Sequence, residues 1–68
     1  MDAKMYTEFG QKYPTMRKAS IGYRHFFANE IIILLKDGTR GIYNRVLKEF
    51  RFPDKFEAEL INHVMDHL

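Results

Sequence analysis

Residues 30–44, Glu-Ile-Ile-Ile-Leu-Leu-Lys-Asp-Gly-Thr-Arg-Gly-Ile-Tyr-Asn, constrain the fold more than any other part of the chain. Two apolar, β-prone runs meet at Asp37-Gly38. Asp-Gly between such runs signals a two-residue hairpin loop, because a type I′ turn needs positive φ at both central positions. That loop sets a register: Lys36 opposite Thr39, Ile33 opposite Ile42, Ile32 opposite Tyr43. One face of the ribbon then carries Ile31, Ile33, Leu35 and Ile42, and the other Ile32, Leu34 and Tyr43. Both faces are apolar and an isolated hairpin is marginal in water, so each needs cover from the rest of the chain.

Residues 2–13 read as a short amphipathic helix with Asp2 as N-cap and Met5, Phe9 and Tyr13 in one stripe. Gly10 weakens its middle. Pro14 ends it, because the residue before a proline avoids the α region. Residues 15–27 satisfy two patterns. As a helix, Thr15 caps and Met16, Ala19, Tyr23, Phe26 and Phe27 form a stripe. As a strand, Ile21, Tyr23 and His25 alternate with Gly22, Arg24 and Phe26. Gly22 and the β-branched and aromatic content from Ile21 onward favour the strand.

The expected core is a three-stranded antiparallel meander of residues 21–27, 30–36 and 39–44. A helical alternative for the middle makes residues 28–36 a buried helix stopped at Gly38. Thr39 then caps a second helix bearing Ile42, Tyr43, Val46, Leu47 and Phe50. Three successive isoleucines oppose that alternative, since β-branching restricts χ1 in a helix. Residues 45–52 read as a turn of helix and a connector, although the alternation Phe50-Arg51-Phe52 also suits a return to the sheet edge.

Residues 54–68 carry the clearest helical signal. Asp54 and Glu57 make a capping box directly after Pro53. Phe56, Leu60, Ile61, Val64, Met65 and Leu68 occupy half the helical cylinder, with Lys55, Glu59, Asn62 and Asp66 on the other half. The expected fold class is therefore α+β: an N-terminal helix, a three-stranded antiparallel meander and a C-terminal amphipathic helix packed on the sheet, all in one small domain of residues 1–68.

A chain of 68 residues buries only a modest fraction of its surface. It has no cysteine, which excludes disulfides and thiolate metal sites. Residues 1–7 lack an apolar stretch of signal-peptide length, and the longest strictly apolar run, residues 31–35, is far too short to span a bilayer. A cytoplasmic, membrane-free protein is expected. Six Phe and four Tyr favour a packed domain over disorder. The net charge of +2 hides an asymmetry. Residues 12–51 hold nine Lys or Arg against three acids, +6, and residues 52–68 hold one Lys against four acids, −3.

No catalytic constellation is visible. Ser20, Thr7, Thr15 and Thr39 lie in no Gly-x-Ser-x-Gly elbow. The segment Asp37-Gly38-Thr39-Arg40-Gly41 is too short for a phosphate loop and is accounted for by a turn. Neither catalysis nor a cofactor is expected. His63 and His67, four apart, share a helix face at metal-ligand spacing. They lack a neighbouring third ligand, and a protonated imidazole near a helix C-terminus also suits the helix dipole, so no metal is expected. The candidate site is instead a basic hairpin surface: Arg24, Lys36, Arg40, Arg45, Lys48 and Arg51, interleaved with Tyr23, Phe26 and Tyr43 as stacking groups. It suits nucleic acid or a nucleic-acid-handling protein complex. Against it stands the reading that the aromatics are core and the cations lie over them. The second apolar face of the hairpin, or a free sheet edge, offers another class of partner: a protein target of an inhibitor or antidefence module, or a second copy in a homodimer.

The hairpin of residues 30–44, followed by Phe50-Arg51-Phe52 and Phe56-Glu57-Ala58-Glu59-Leu60, resembles a segment of small phage and mobile-element proteins in which such a hairpin precedes a helix-turn-helix. The similarity spans residues 30–60. It implies an accessory module of phage type, without the DNA-reading helices that would follow residue 68.

Overall fold

In a computed structural model describing residues 1–67, the chain forms α1 (Asp2–Lys12), α2 (Pro14–Lys18), β1 (Ser20–Phe27), β2 (Glu30–Leu35), β3 (Arg40–Asn44), β4 (Glu49–Arg51) and α3 (Lys55–Asp66). The strands make one antiparallel sheet in the order β1-β2-β3-β4. The α+β class holds, with a fourth strand added to the expected three. That strand is the return suggested by Phe50-Arg51-Phe52, and it replaces the turn of helix expected at residues 45–52.

Pro14 divides the N-terminal helical region rather than ending it. Tyr13 leaves the α region, as a residue before proline must, and Pro14 opens α2 at its first position, where its missing N–H costs nothing. The ambiguous residues 15–27 thus contain both elements: a short helix, then a strand. Asp2 is not the N-cap expected of it. It lies within the first turn of α1 and its carboxylate meets His25 Nδ1 at 3.1 Å.

The hairpin exists, but its loop has three residues, not two. Gly38 N–H donates to the Leu35 carbonyl at 3.1 Å and Leu35 N–H to the Thr39 carbonyl at 3.0 Å. Only Gly38, with φ of 91°, has positive φ here. This is a type I turn followed by a left-handed glycine. Asp37 secures it by accepting from Thr39 N–H at 2.9 Å and Thr39 Oγ1 at 2.6 Å, and these two bonds hold its carboxyl pKa below the ordinary value.

The extra loop residue shifts the register by one. Ile32 pairs with Ile42, Ile31 with Tyr43 and Leu34 with Arg40. A one-residue slip turns every side chain of a strand to the other face. Tyr43 therefore joins Ile31, Ile33 and Leu35, and Ile42 joins Ile32 and Leu34, the reverse of the expected distribution.

Each face has its own helix. Met5 and Phe9 of α1 pack with Ile31, Ile33, Leu35 and Tyr43. Ile61 of α3 packs with Phe26, Ile32 and Ile42, flanked by Leu60, Val64 and Met65. The capping box at Asp54 and Glu57 is formed in both directions. Phe56 departs from the expected stripe and stays 69% exposed. The first turn of α3 lies beside β4, which presents Arg51 to that side and no apolar partner. Leu68, expected in the stripe, lies outside the described residues.

Candidate binding site

The six cations expected to form one basic surface are spread over the sheet. Lys36 is exposed in the β2–β3 loop, and Arg40 opens β3 beside it. Arg45 and Lys48 lie in the β3–β4 turn at the opposite end of the sheet, while Arg24 and Arg51 sit on the two edge strands. Arg24 and Arg40 share the α3 side, since their partners Ile32 and Leu34 share it.

Most of these cations have intramolecular work. Arg51 donates to both Glu57 oxygens at 2.6 and 2.7 Å and to Glu30 Oε2 at 3.2 Å. The bidentate geometry holds the Glu57 carboxyl below the usual carboxylate range. It also links β2, β4 and α3. Arg45 clamps the two turns of its end: Nε bonds Asn29 Oδ1, and its N–H bonds the Asn29 carbonyl, both at 2.9 Å. Lys48 lies 3.8 Å from Glu8, and its carbonyl accepts from Lys12 Nζ. Arg24 Nη1 donates to the Tyr23 carbonyl at 2.8 Å.

The expected stacking groups belong to the core. Tyr43 and Phe26 are buried. Tyr23 lies against Tyr6, with ring centroids 4.6 Å apart, and Arg17 covers the other part of Tyr6 at 4.5 Å.

Arg40 differs from the other arginines. It is half-buried, and its Nη1 donates to Asn62 Oδ1 at 2.8 Å, joining the start of β3 to α3. Among the described residues no carboxylate lies within 4.0 Å of it. Around it opens a cleft of 350 Å³ lined by Gly38, Thr39, Arg40, Phe52, Pro53, Ala58, Ile61 and Asn62. A smaller recess of 180 Å³ on the other side of Arg40 reaches Ile21, Leu34 and Met65. At the cleft's end Phe52 is 59% exposed. Phe56, also exposed, lies two residues before the cleft wall residue Ala58, about 200° around the helix from it, and does not line the cleft.

Two features build this cleft. The three-residue loop raises Gly38 and Thr39 as one wall, and the Phe52–Asp54 connector sets α3 back from the hairpin tip as the other. The sequence points to Arg40 but not to Phe52, Ala58 or Asn62. The one signal available was Phe52 itself, a large apolar residue directly before Pro53 and outside the helical stripe.

Other groups are committed internally. A 290 Å³ hollow by Tyr43 is walled by Glu8, Gln11, Lys12 and Lys48, of which Lys48 pairs with Glu8 and accepts from Lys12. Ser20 Oγ is 2.7 Å from Tyr6 OH, and its remaining bonds go to the Gly22 backbone. The rings of His63 and His67 stack 4.2 Å apart, with His67 Nδ1 2.8 Å from the His63 carbonyl oxygen. Among the described residues no three His, Cys, Asp or Glu side chains gather as metal ligands, and no helix is long and apolar enough to cross a membrane.

No family model, curated protein or solved structure matches the chain.

Proposed function

We propose that this chain is a non-catalytic protein-binding module that takes a segment of a partner protein into the cleft between the β2–β3 hairpin tip and α3. The observation that carries this reading is the composition of the cleft. It is a concave apolar surface with the exposed Phe52 at its end and one arginine facing it. Its volume lies in the range of small ligand sites, where apolar walls with a few convergent polar groups are usual. A water-exposed phenylalanine beside an apolar concavity also marks a protein contact surface.

Nucleic acid receives less support. A polyanion needs several free cations in one tract, whereas Arg45, Lys48 and Arg51 are bonded within the fold and lie away from Lys36 and Arg40. Self-association through the edge of β1 also receives less. Register shifts at both ends of β1 and the exposed Arg24 and His25 blunt that edge, as protected sheet edges do.

Selection from a random peptide library on the immobilised protein tests the proposal. Enriched peptides should lose binding to Phe52→Ser, and keep it on Phe56→Ser, across α3 from the cleft, and on Val46→Ser at the far end of the sheet. Failure to enrich any peptide, or binding that survives the Phe52 substitution, would contradict it.

A further inference from the structure

Building on the protein-binding reading, we infer that the cleft selects a segment in which a single carboxylate adjoins a large apolar side chain, with Arg40 as the residue that receives the carboxylate. Four arginines on the α3 side of the sheet or at its ends, Arg24, Arg40, Arg45 and Arg51, have side-chain hydrogen-bond partners. Arg51 has two carboxylates. Arg45 braces two turns. Arg24 bonds its neighbour's carbonyl. Arg40 lines the cleft, and its side-chain bond goes to the neutral amide of Asn62. One Nη1 donor is used, and the remaining guanidinium N–H groups have no acceptor on another described residue. A guanidinium offers five donors in a planar fork suited to a carboxylate, and a half-buried site strengthens that bond relative to open water.

The surroundings fix the rest of the ligand. Ile61, Ala58, Pro53 and Phe52 give an apolar lining that fits an aromatic or branched aliphatic side chain beside the acid. They also limit the charge accepted. Helical spacing places Glu59 and Asp66 on turns adjacent to Asn62, Asp54 caps the same helix, and Asp37 sits in the facing loop. One anion at Arg40 is compensated there. A run of phosphates would meet these carboxylates. The cleft therefore favours an acidic-apolar peptide over a nucleic acid strand.

The test uses 3-phenylpropionate, which joins one carboxylate to one aromatic ring, and its neutral counterpart 3-phenylpropanamide, each titrated into ¹⁵N-labelled protein. The acid should shift the backbone amides of Gly38, Thr39, Arg40, Ala58 and Asn62, and should half-saturate at a concentration lower than the amide by about fivefold or more. Arg40→Gln should abolish that preference. Asn62→Asp supplies Arg40 with an internal carboxylate without removing any apolar contact, and it should abolish the preference while leaving the fold intact.

Equal binding of acid and amide, shifts confined to another part of the surface, or a preference that survives both substitutions would overturn the inference. So would stronger shifts at these residues with an oligothymidylate than with the acid. Peptides that need Phe52 yet carry no acid would leave the protein-binding reading standing and remove this one. An absence of any selected peptide would remove both.

Discussion

The ring of Phe50 lies across Gly41, in the space a Cβ on that glycine would occupy. Phe50 is paired with Tyr43, and Gly41 is two residues back on the same face, so the ring leans diagonally from β4 over β3. It is held by Phe9, Tyr13 and Phe52, with ring centroids 5.4 to 6.0 Å away. A glycine weakens a strand interior; here its missing side chain is replaced by the neighbour's ring, which ties the three-residue β4 to the α1-side core.

Gly41→Ala should therefore destabilise the protein by about 2 kcal/mol, the cost typical of overfilling a packed site. Urea unfolding reads this as a lower midpoint with an unchanged slope. Gly41→Ala combined with Phe50→Leu should cost less than the two single changes together, because the second removes the ring that the new methyl strikes.

Arg51 and Glu57 set an acid-side limit on stability. The folded-state pKa of Glu57 is lowered, chiefly by the Arg51 hydrogen bonds. The unfolded chain then takes up a proton at higher pH than the folded one. The stabilisation is complete above the ordinary Glu range and is lost as pH falls through the lower folded value. Glu57→Gln retains a capping side chain at that position and should cost about 1 kcal/mol at neutral pH, a modest figure because water reaches Arg51. The difference between wild type and variant in urea should shrink toward zero in acid.

Lys48 has φ of 56°, a conformation that L residues enter at a cost of about 1–2 kcal/mol. Lys48→Gly removes that strain. It also gives up an exposed ion pair and adds freedom to the unfolded chain. A net gain of roughly 0.5 kcal/mol is expected, read as a higher melting temperature. A loss of stability would show that the side-chain contacts of Lys48 outweigh its backbone strain.

The loop between β2 and β3 decides which side chains face which helix. Deleting Lys36 leaves a two-residue Asp-Gly loop that closes on the same Leu35–Thr39 pair, so Ile32 stays opposite Ile42 and Ile31 opposite Tyr43, and no side chain changes face. Tyr43 keeps its edge-on packing against Phe9, with centroids 5.7 Å apart, and the burial that raises its hydroxyl pKa. The deletion variant should therefore keep a cooperative unfolding transition by circular dichroism, and loss of that transition would contradict this account of the loop.

That loop also marks where the sequence stops being sufficient. The hairpin and the capped C-terminal helix were legible because Asp37-Gly38 stands between two apolar runs and because the helix carries a one-sided apolar stripe behind a capping box. Asp37-Gly38 was ambiguous for a physical reason: a left-handed glycine serves both a type I′ turn and a type I turn with a bulge. The choice follows from Asp37 accepting both Thr39 donors, and it moved Ile42 and Tyr43 to opposite faces.

The fourth strand was legible only as the alternative offered by Phe50-Arg51-Phe52, because three residues hold too little pattern and its register depends on Phe50 finding Gly41. The candidate site was legible only at Arg40. Its partner Asn62 looked like an outward residue of a solvated helix face, and the exposed Phe56 looked like core. Both judgements turn on how α3 is rotated over the sheet, which the Arg51–Glu57 bonds help to fix.

Titration of labelled duplex and single-stranded DNA and RNA, at about 50 and 200 mM salt, tests most directly the claim that the partner is a protein rather than a nucleic acid. The account predicts only weak, sequence-independent association at the lower salt, vanishing at the higher and unaffected by Phe52→Ser or Phe56→Ser. A complex tighter than about 10⁻⁶ M at the higher salt, beyond the usual non-specific range, and lost on Arg24→Ala with Lys36→Ala, would contradict it and restore the basic hairpin surface as the working site.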